Sequence, residues 1–156
     1  VKVIMDADCL IKLTKAGLKE QVCVAWHVVI PLIVRRETVD RAPGLPDGAR
    51  IKQNIADGRI AVDETASGGT KGEQAALQLY QRGGFDAVAS DDARFIRQLR
   101  GLGIPYAVPA VLVVRLLLDG TLSAAEARKA LEALRPHISS DQYAAAQLMM
   151  SGGIRP

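Results

Sequence analysis

Short apolar runs alternate with amphipathic stretches along almost the whole chain, and some of those runs stop abruptly at acids. Residues 1–5 end against Asp6, and residues 86–90 end against Asp91 and Asp92. Residues 27–30, 59–62 and 105–108 repeat the apolar character. A β-branched run with no polar face belongs in a sheet covered on both sides. Its alternation with helical patterns makes that sheet parallel, each strand returning through a helix. Ligands of such sheets bind beyond the carboxyl ends of the strands. The acids at those ends are therefore the residues to follow.

The helices are placed by their caps and breakers. Asp8 is positioned to cap a helix bearing Leu10, Ile11 and Leu13 that stops at Gly17, and Pro31 suits the first turn of a helix carrying Glu37. Residues 41–48, with two Pro and two Gly, read as a loop before a helix over about 49–57. A Ser67-Gly68-Gly69 turn precedes a helix over 71–82, another follows over 92–100, and three more begin near Pro109, Ser123 and Ser139. A chain of 156 residues fits one domain, 1–156, with an α/β core over 1–118 and a helical extension over 119–156. Aromatics are only 4% of the chain, so aliphatic residues and Ala must fill the core.

Several function classes drop out. The apolar run 107–118 is interrupted by Pro109 and Arg115 and is too short to span a bilayer, so it is expected as a buried helix and no membrane partner is expected. Val111, Leu112, Val113, Val114, Leu116, Leu117 and Leu118 surround most of that helix, which predicts a self-association or partner surface, with a homodimer as the expected form. No basic, apolar and small-residue sequence opens the chain, so no secretory signal is expected. Cys9 and Cys23 are too few for a disulfide framework and read as free thiols of a cytoplasmic protein. The formal charge of +3 is compatible with nucleic acid and too small to argue for it.

Each acid has a structural reading beside a functional one. Asp6 either punctuates the strand or occupies its ligand edge, where an acid after a central strand favours function. Asp8 is equally an N-cap. Glu37 has Arg41 four residues on, enough for a weak surface pair. Glu73 closes a capping-box spacing with Thr70, as Glu126 does with Ser123, and for Glu126 the structural reading suffices. Asp91 and Asp92 both lie where a helix N-terminus favours negative charge. The case rests on the set: Asp6, Glu37, Glu73 and the Asp91–Asp92 pair all fall just beyond a strand or at the near end of the following helix. Carboxylates brought together repel, and a hard divalent cation such as Mg²⁺ or Mn²⁺ relieves that repulsion. His27 and His137 are more readily structural than ligands.

At these residues the chain resembles the PIN-domain family. Val3-Ile4-Met5-Asp6-Ala7-Asp8-Cys9-Leu10-Ile11 is similar to its opening strand and turn, and Ile33-Val34-Arg35-Arg36-Glu37 to its second acidic motif. Gly72-Glu73-Gln74-Ala75-Ala76 resembles the third, and Ser90-Asp91-Asp92-Ala93-Arg94-Phe95 the fourth. The likeness runs from Val1 to about Leu118, and Gly120-Thr121-Leu122-Ser123 with its following helices resembles the tails of small stand-alone prokaryotic members. The resemblance implies a three-layer αβα sandwich around a five-stranded parallel sheet. It also implies Mg²⁺- or Mn²⁺-dependent cleavage of single-stranded RNA (or DNA), and, for VapC-type members, an antitoxin partner. Asp8 stands where Ser, Thr or Asn is commoner, and Asp91 where Asn often stands.

On this reading Asp6, Asp92 and Glu73 hold metal, Glu37 completes the catalytic set, and Asp8, Asp91 and Ser90 assist. Lys71 is a candidate phosphate contact. Arg94, Arg97 and Arg100 recur at spacing three on one helix, a solvated face that could also track a nucleic-acid backbone. Two other classes compete. Asp6-Ala7-Asp8 also resembles the opening of haloacid-dehalogenase-like phosphatases, a scheme that leaves Glu37 and Glu73 without work. A non-catalytic binding module would keep the fold and use only the arginines.

Overall fold

The computed structural model describes residues 1–41, 44–65 and 71–152. Five strands, β1 (Lys2–Met5), β2 (His27–Pro31), β3 (Ile60–Asp63), β4 (Ala87–Ala89) and β5 (Tyr106–Ala107), form one sheet in the order β3-β2-β1-β4-β5. Every pairing is parallel. Strand order reverses between β1 and β4, so this sheet's crevice lies where those two strands end.

The two-residue period of the strands sorts their side chains into two cores. Val3 and Met5 of β1, with Val28 and Ile30 of β2, enter one cluster; Ile4 and Val29 enter the other. The first cluster is roofed by α1 (Ala7–Lys15), α2 (Lys19–Ala25), α4 (Pro46–Ala56), α7 (Pro109–Leu118), α8 (Ala124–Leu134) and α9 (Ser140–Ser151). The second is covered by α5 (Gly72–Gln81) and α6 (Ala93–Gly101), through Ala75, Ala76, Leu79, Phe95 and Leu99. The outcome is the expected αβα sandwich around a five-stranded parallel sheet.

Two helix starts and one whole helix differ from expectation. Asp6, not Asp8, caps α1: its Oδ1 accepts from the Cys9 amide at 2.8 Å. The chain turns from β1 into the helix without a linker, so the acid that ends the strand also begins the helix. Gly17, at φ 71°, ends α1 as expected, with the Leu18 amide reaching back to the Leu13 carbonyl at 2.9 Å. Helix α4 starts at Pro46, earlier than residue 49, with proline in the first turn where its missing N–H costs nothing. Helix α2 is absent from the sequence reading, because it buries only Lys19 and Val22 and so shows no apolar stripe.

After the short α3 (Leu32–Arg35) the chain widens into a π-helical turn over Arg36–Asp40, closed by the Arg41 amide on the Arg36 carbonyl at 2.9 Å. Such turns are rare and frequent at functional sites. Glu37 lies in it. The apolar surface of α7 is largely covered by α8, α9 and α2 within the chain, leaving Val111 and Leu118 exposed. That burial supplies an internal reason for the helix's apolar character, without a second chain. Among the described residues no helix is long and apolar enough to cross a membrane.

Candidate functional site

The register Met5↔Ala89 places Asp6 and Ser90 side by side at the carboxyl ends of β1 and β4. The Asp6 amide extends the ladder to the Ala89 carbonyl at 3.0 Å. Ser90, fully buried, donates its hydroxyl to Asp6 Oδ2 and accepts from the Asp92 amide at 3.1 Å. Asp92 then caps α6, its Oδ1 accepting from the Phe95 amide at 2.7 Å. Two helix starts are thus tied together through one serine, and both caps are aspartates.

Asp6, Ala7, Asp8, Glu37, Lys71, Gly72, Glu73 and Asp92 line a single open cleft of ≈ 300 Å³. Five of those eight residues are carboxylates, drawn from the ends of β1 and β4, the first turn of α1, the π-turn and the start of α5. Gly72 explains how two of these segments approach. A Cβ there would lie 3.1 Å from Val34 Cγ2 and 3.3 Å from Glu37 Oε2, so any larger residue would press on the Glu37 carboxylate. Lys71 is the N-cap of α5 and makes no side-chain cap bond, which puts Glu73 second in the helix. Thr70 and the Ser67-Gly68-Gly69 turn lie outside the described residues.

Electrostatics follow from crowding and burial. Asp6 is only 5% exposed, and its carboxyl is pushed up to about 7. Desolvation is the largest cause; the Ser90 and Cys9 hydrogen bonds oppose it, and the charges of Asp8 and Asp91 reinforce it. Burial also raises the Glu37 carboxyl, with Arg41 opposing and Glu73 adding to the rise.

Other predicted residues fall elsewhere. Asp91 turns away from the cleft: Lys12 and Gln142 both donate to it, and its side chain is 4% exposed. Asp8 lines the cleft but also pairs with Lys12 at 2.7 Å. Arg94, Arg97 and Arg100 are exposed on α6. Arg94 stands in the first turn after Asp92, whereas Arg100, roughly 9 Å further along at 1.5 Å per residue, donates to Tyr106 Oη at 2.8 Å. Cys9 is buried, Cys23 half-buried, and both are free thiols. His27 is exposed at the start of β2. Lys12 and Gln142 were not singled out by sequence reasoning. The four-residue spacing from Asp8 could have found Lys12, but nothing local points to Gln142.

No three Asp, Glu, His or Cys side chains among the described residues stand close enough to hold an ion between them. The donor chemistry nevertheless fits a hard divalent cation. Every candidate ligand on the cleft is a carboxylate, no imidazole or thiol lines it, and Asp6 is a buried acid whose ionised form lacks a cationic partner in its immediate hydrogen bonds.

No curated protein and no solved structure matches the chain. One family model does: DUF3368, described as a PIN domain, matches residues 2–148 and so spans the sheet, the cleft and all but the last turn of α9. That match sets aside the phosphatase alternative. The chain belongs to the PIN-domain family, whose members are generally nucleases.

Proposed function

We propose that the chain is a Mg²⁺- or Mn²⁺-dependent nuclease that cuts single-stranded RNA, with Asp6, Glu37, Glu73 and Asp92 as its working acids. The observation that carries this reading is the convergence of those four residues, from four separate segments, on one cleft at the sheet's reversal point. Asp6, Asp92 and Glu73 would hold the cation. When bound, it would supply Lewis acidity, making water a nucleophile near neutral pH and offsetting charge that grows on the phosphate.

The chain's own residues do the rest. Ser90 and the Cys9 amide fix the Asp6 carboxylate, so it presents one geometry rather than an ensemble. Asp6 gives up its proton to act as a ligand, which makes loading pH-dependent. Glu37, raised by burial, is the acid suited to take a proton from the attacking water. Lys71, on the cleft at the start of α5, meets a phosphate oxygen. Arg94 and then Arg97 continue that contact along the exposed face of α6. Arg100 is engaged by Tyr106 and contributes least.

Purified protein should cut a single-stranded RNA panel with Mn²⁺ or Mg²⁺ and stop on addition of EDTA. Single-stranded DNA should be cut more slowly. Equal cleavage in EDTA, or retardation of RNA with no cleavage under any divalent ion, would replace this reading with that of a binding module.

A further inference from the structure

Two acids that depart from the family's usual pattern, Asp8 and Asp91, share one cation. Lys12 sits one turn along α1, its Nζ 2.7 Å from Asp8 Oδ2 and bonded as well to Asp91 Oδ2. The other oxygen of Asp91 accepts from Gln142 Nε2, which arrives from α9 at the far end of the sequence. Asp91 is the buried member, at 4% side-chain exposure, while Asp8 is 51% exposed and lines the cleft. Burial pulls the Lys12 ammonium down, and its two carboxylate partners more than reverse this, so it stays a cation.

From this arrangement we infer that Lys12 is a positioning residue: with Asp91 and Gln142 it holds Asp8 out of the ligand set and thereby limits how tightly the cleft binds a divalent cation. The inference rests on the proposed metal site. Asp8 is a carboxylate on the same cleft as Asp6, Glu37, Glu73 and Asp92, and of these five acids it is the one held in an ion pair. A lysine four residues on, anchored from behind by a buried aspartate and a glutamine, fixes the direction of that pair. An acid held by a cation is a poorer metal ligand on two counts: its charge is offset, and it must break a bond to turn. The same contacts connect α9 to the site, since Gln142 is the link between that helix and Asp91.

The test compares Mn²⁺ binding by titration calorimetry, with melting temperature recorded in parallel, for the full chain and five variants, one of them Asp6→Asn. Lys12→Met releases Asp8 and should tighten Mn²⁺ binding about tenfold, the loss of one unit charge and the gain of one oxygen ligand acting together. Lys12→Arg keeps the charge and should leave affinity near wild type. Because Lys12→Met strands the buried Asp91 charge at a cost in stability, Lys12→Met with Asp91→Asn removes the pair together; it should also bind more tightly than wild type. Adding Asp8→Asn to that double variant should return affinity to the wild-type value. Tightening that survives Asp8→Asn, or unchanged or weaker binding with only a lower melting temperature, overturns the inference and leaves Lys12 a purely structural residue. Wild-type protein that binds no Mn²⁺ overturns both this inference and the proposed site. Loss of binding in Asp6→Asn alongside unresponsive Lys12 variants overturns this inference alone.

Discussion

The spacing of a hydroxyl residue three positions before a glutamate occurs twice, at Thr70–Glu73 and Ser123–Glu126, and the two helix starts are put to different uses. At α8 the box is closed: Ser123 Oγ accepts from the Glu126 amide, and Glu126 Oε2 accepts from the Ser123 amide at 2.7 Å. The Ser123 hydroxyl and then the Ser123 amide, acting on the carboxylate, lower the exposed Glu126 carboxyl. At α5 the helix starts instead at Gly72, and Glu73 lines a cleft with four other carboxylates. One glutamate serves its own helix; the other is placed among like charges. The difference lies outside both tetrapeptides. Helix α5 begins beside the strand ends where the sheet order reverses, whereas α8 begins on the surface beyond α7. A local motif states what a residue can satisfy, and the topology decides what it meets.

The largest effect expected on the cleft side is that of Asp6→Asn. The substitution keeps an acceptor for the Cys9 amide, so the cap of α1 survives, while the buried charge and its repulsion with Asp8 and Asp91 disappear. Cleavage should fall by roughly a hundredfold or more, and Mn²⁺ should no longer raise the melting temperature. Metal-free protein should melt at the wild-type temperature or above. A destabilised protein with normal cleavage would return Asp6 to a turn-forming role.

The pH dependence of stability probes the same repulsion. The Asp6 carboxyl lies at 3.8 when the chain is unfolded and at about 7 when it is folded. Between those values the folded protein holds the extra proton, so metal-free stability is greatest on the acid side and declines as pH rises through the window. The decline approaches on the order of 4 kcal/mol once Asp6 has ionised, at 1.36 kcal/mol per pH unit. Denaturant melts of wild type and Asp6→Asn in matched buffers from pH 5 to 8 isolate it. The wild-type curve should lose stability relative to the variant, and parallel curves would mean that Asp6 is already ionised at pH 5. Metal affinity should rise over the same window, because loading requires the ionised acid.

Glu73→Gln should have a smaller effect, about a tenfold loss of cleavage with no loss of metal-free stability. The removed charge faces Glu37, and that repulsion offsets what an acid in the first turn of α5 contributes at the helix N-terminus. A fall in melting temperature comparable to that of a broken cap would show that Glu73 resembles Glu126 after all.

How far the site could be read in advance follows the same division between local and distant causes. Strand ends and acids were legible, because an apolar run stopping at Asp6 or before Asp91 is a local event. The sheet's two-faced burial followed from runs such as residues 27–30, with no polar face. The cap of α1 was misplaced by two residues, since Asp6 and Asp8 are both good caps and only the absence of a linker after Met5 decides between them. The π-turn under Glu37 has no signature in Arg36-Glu37-Thr38-Val39-Asp40. The partners that turn Asp91 from the cleft are held by no local pattern: Lys12 and Gln142 are 79 and 51 residues away.

The smallest effect belongs to the surface half of the comparison, and it is the control for the rest. Ser123→Ala removes the acceptor of the Glu126 amide, leaving that group to water and keeping only the Glu126 side-chain contact to the Ser123 amide. Losing a cap hydroxyl typically costs about 1 kcal/mol. In a chain of this size that lowers the melting temperature by roughly 2–4 °C. Helix α8 packs on α7 and buries Ala127, Ala130, Leu131 and Leu134, so the helix itself should persist and the loss should stay at its first turn. Cleavage and Mn²⁺ binding should be unchanged, since Ser123 and Glu126 are absent from the acidic cleft. The opposite signs of the Ser123 and Asp6 variants are the decisive contrast. One loses stability and keeps chemistry, and the other keeps stability and loses chemistry. If both variants moved stability and cleavage in the same direction, the division between a capping acid and a working acid would collapse.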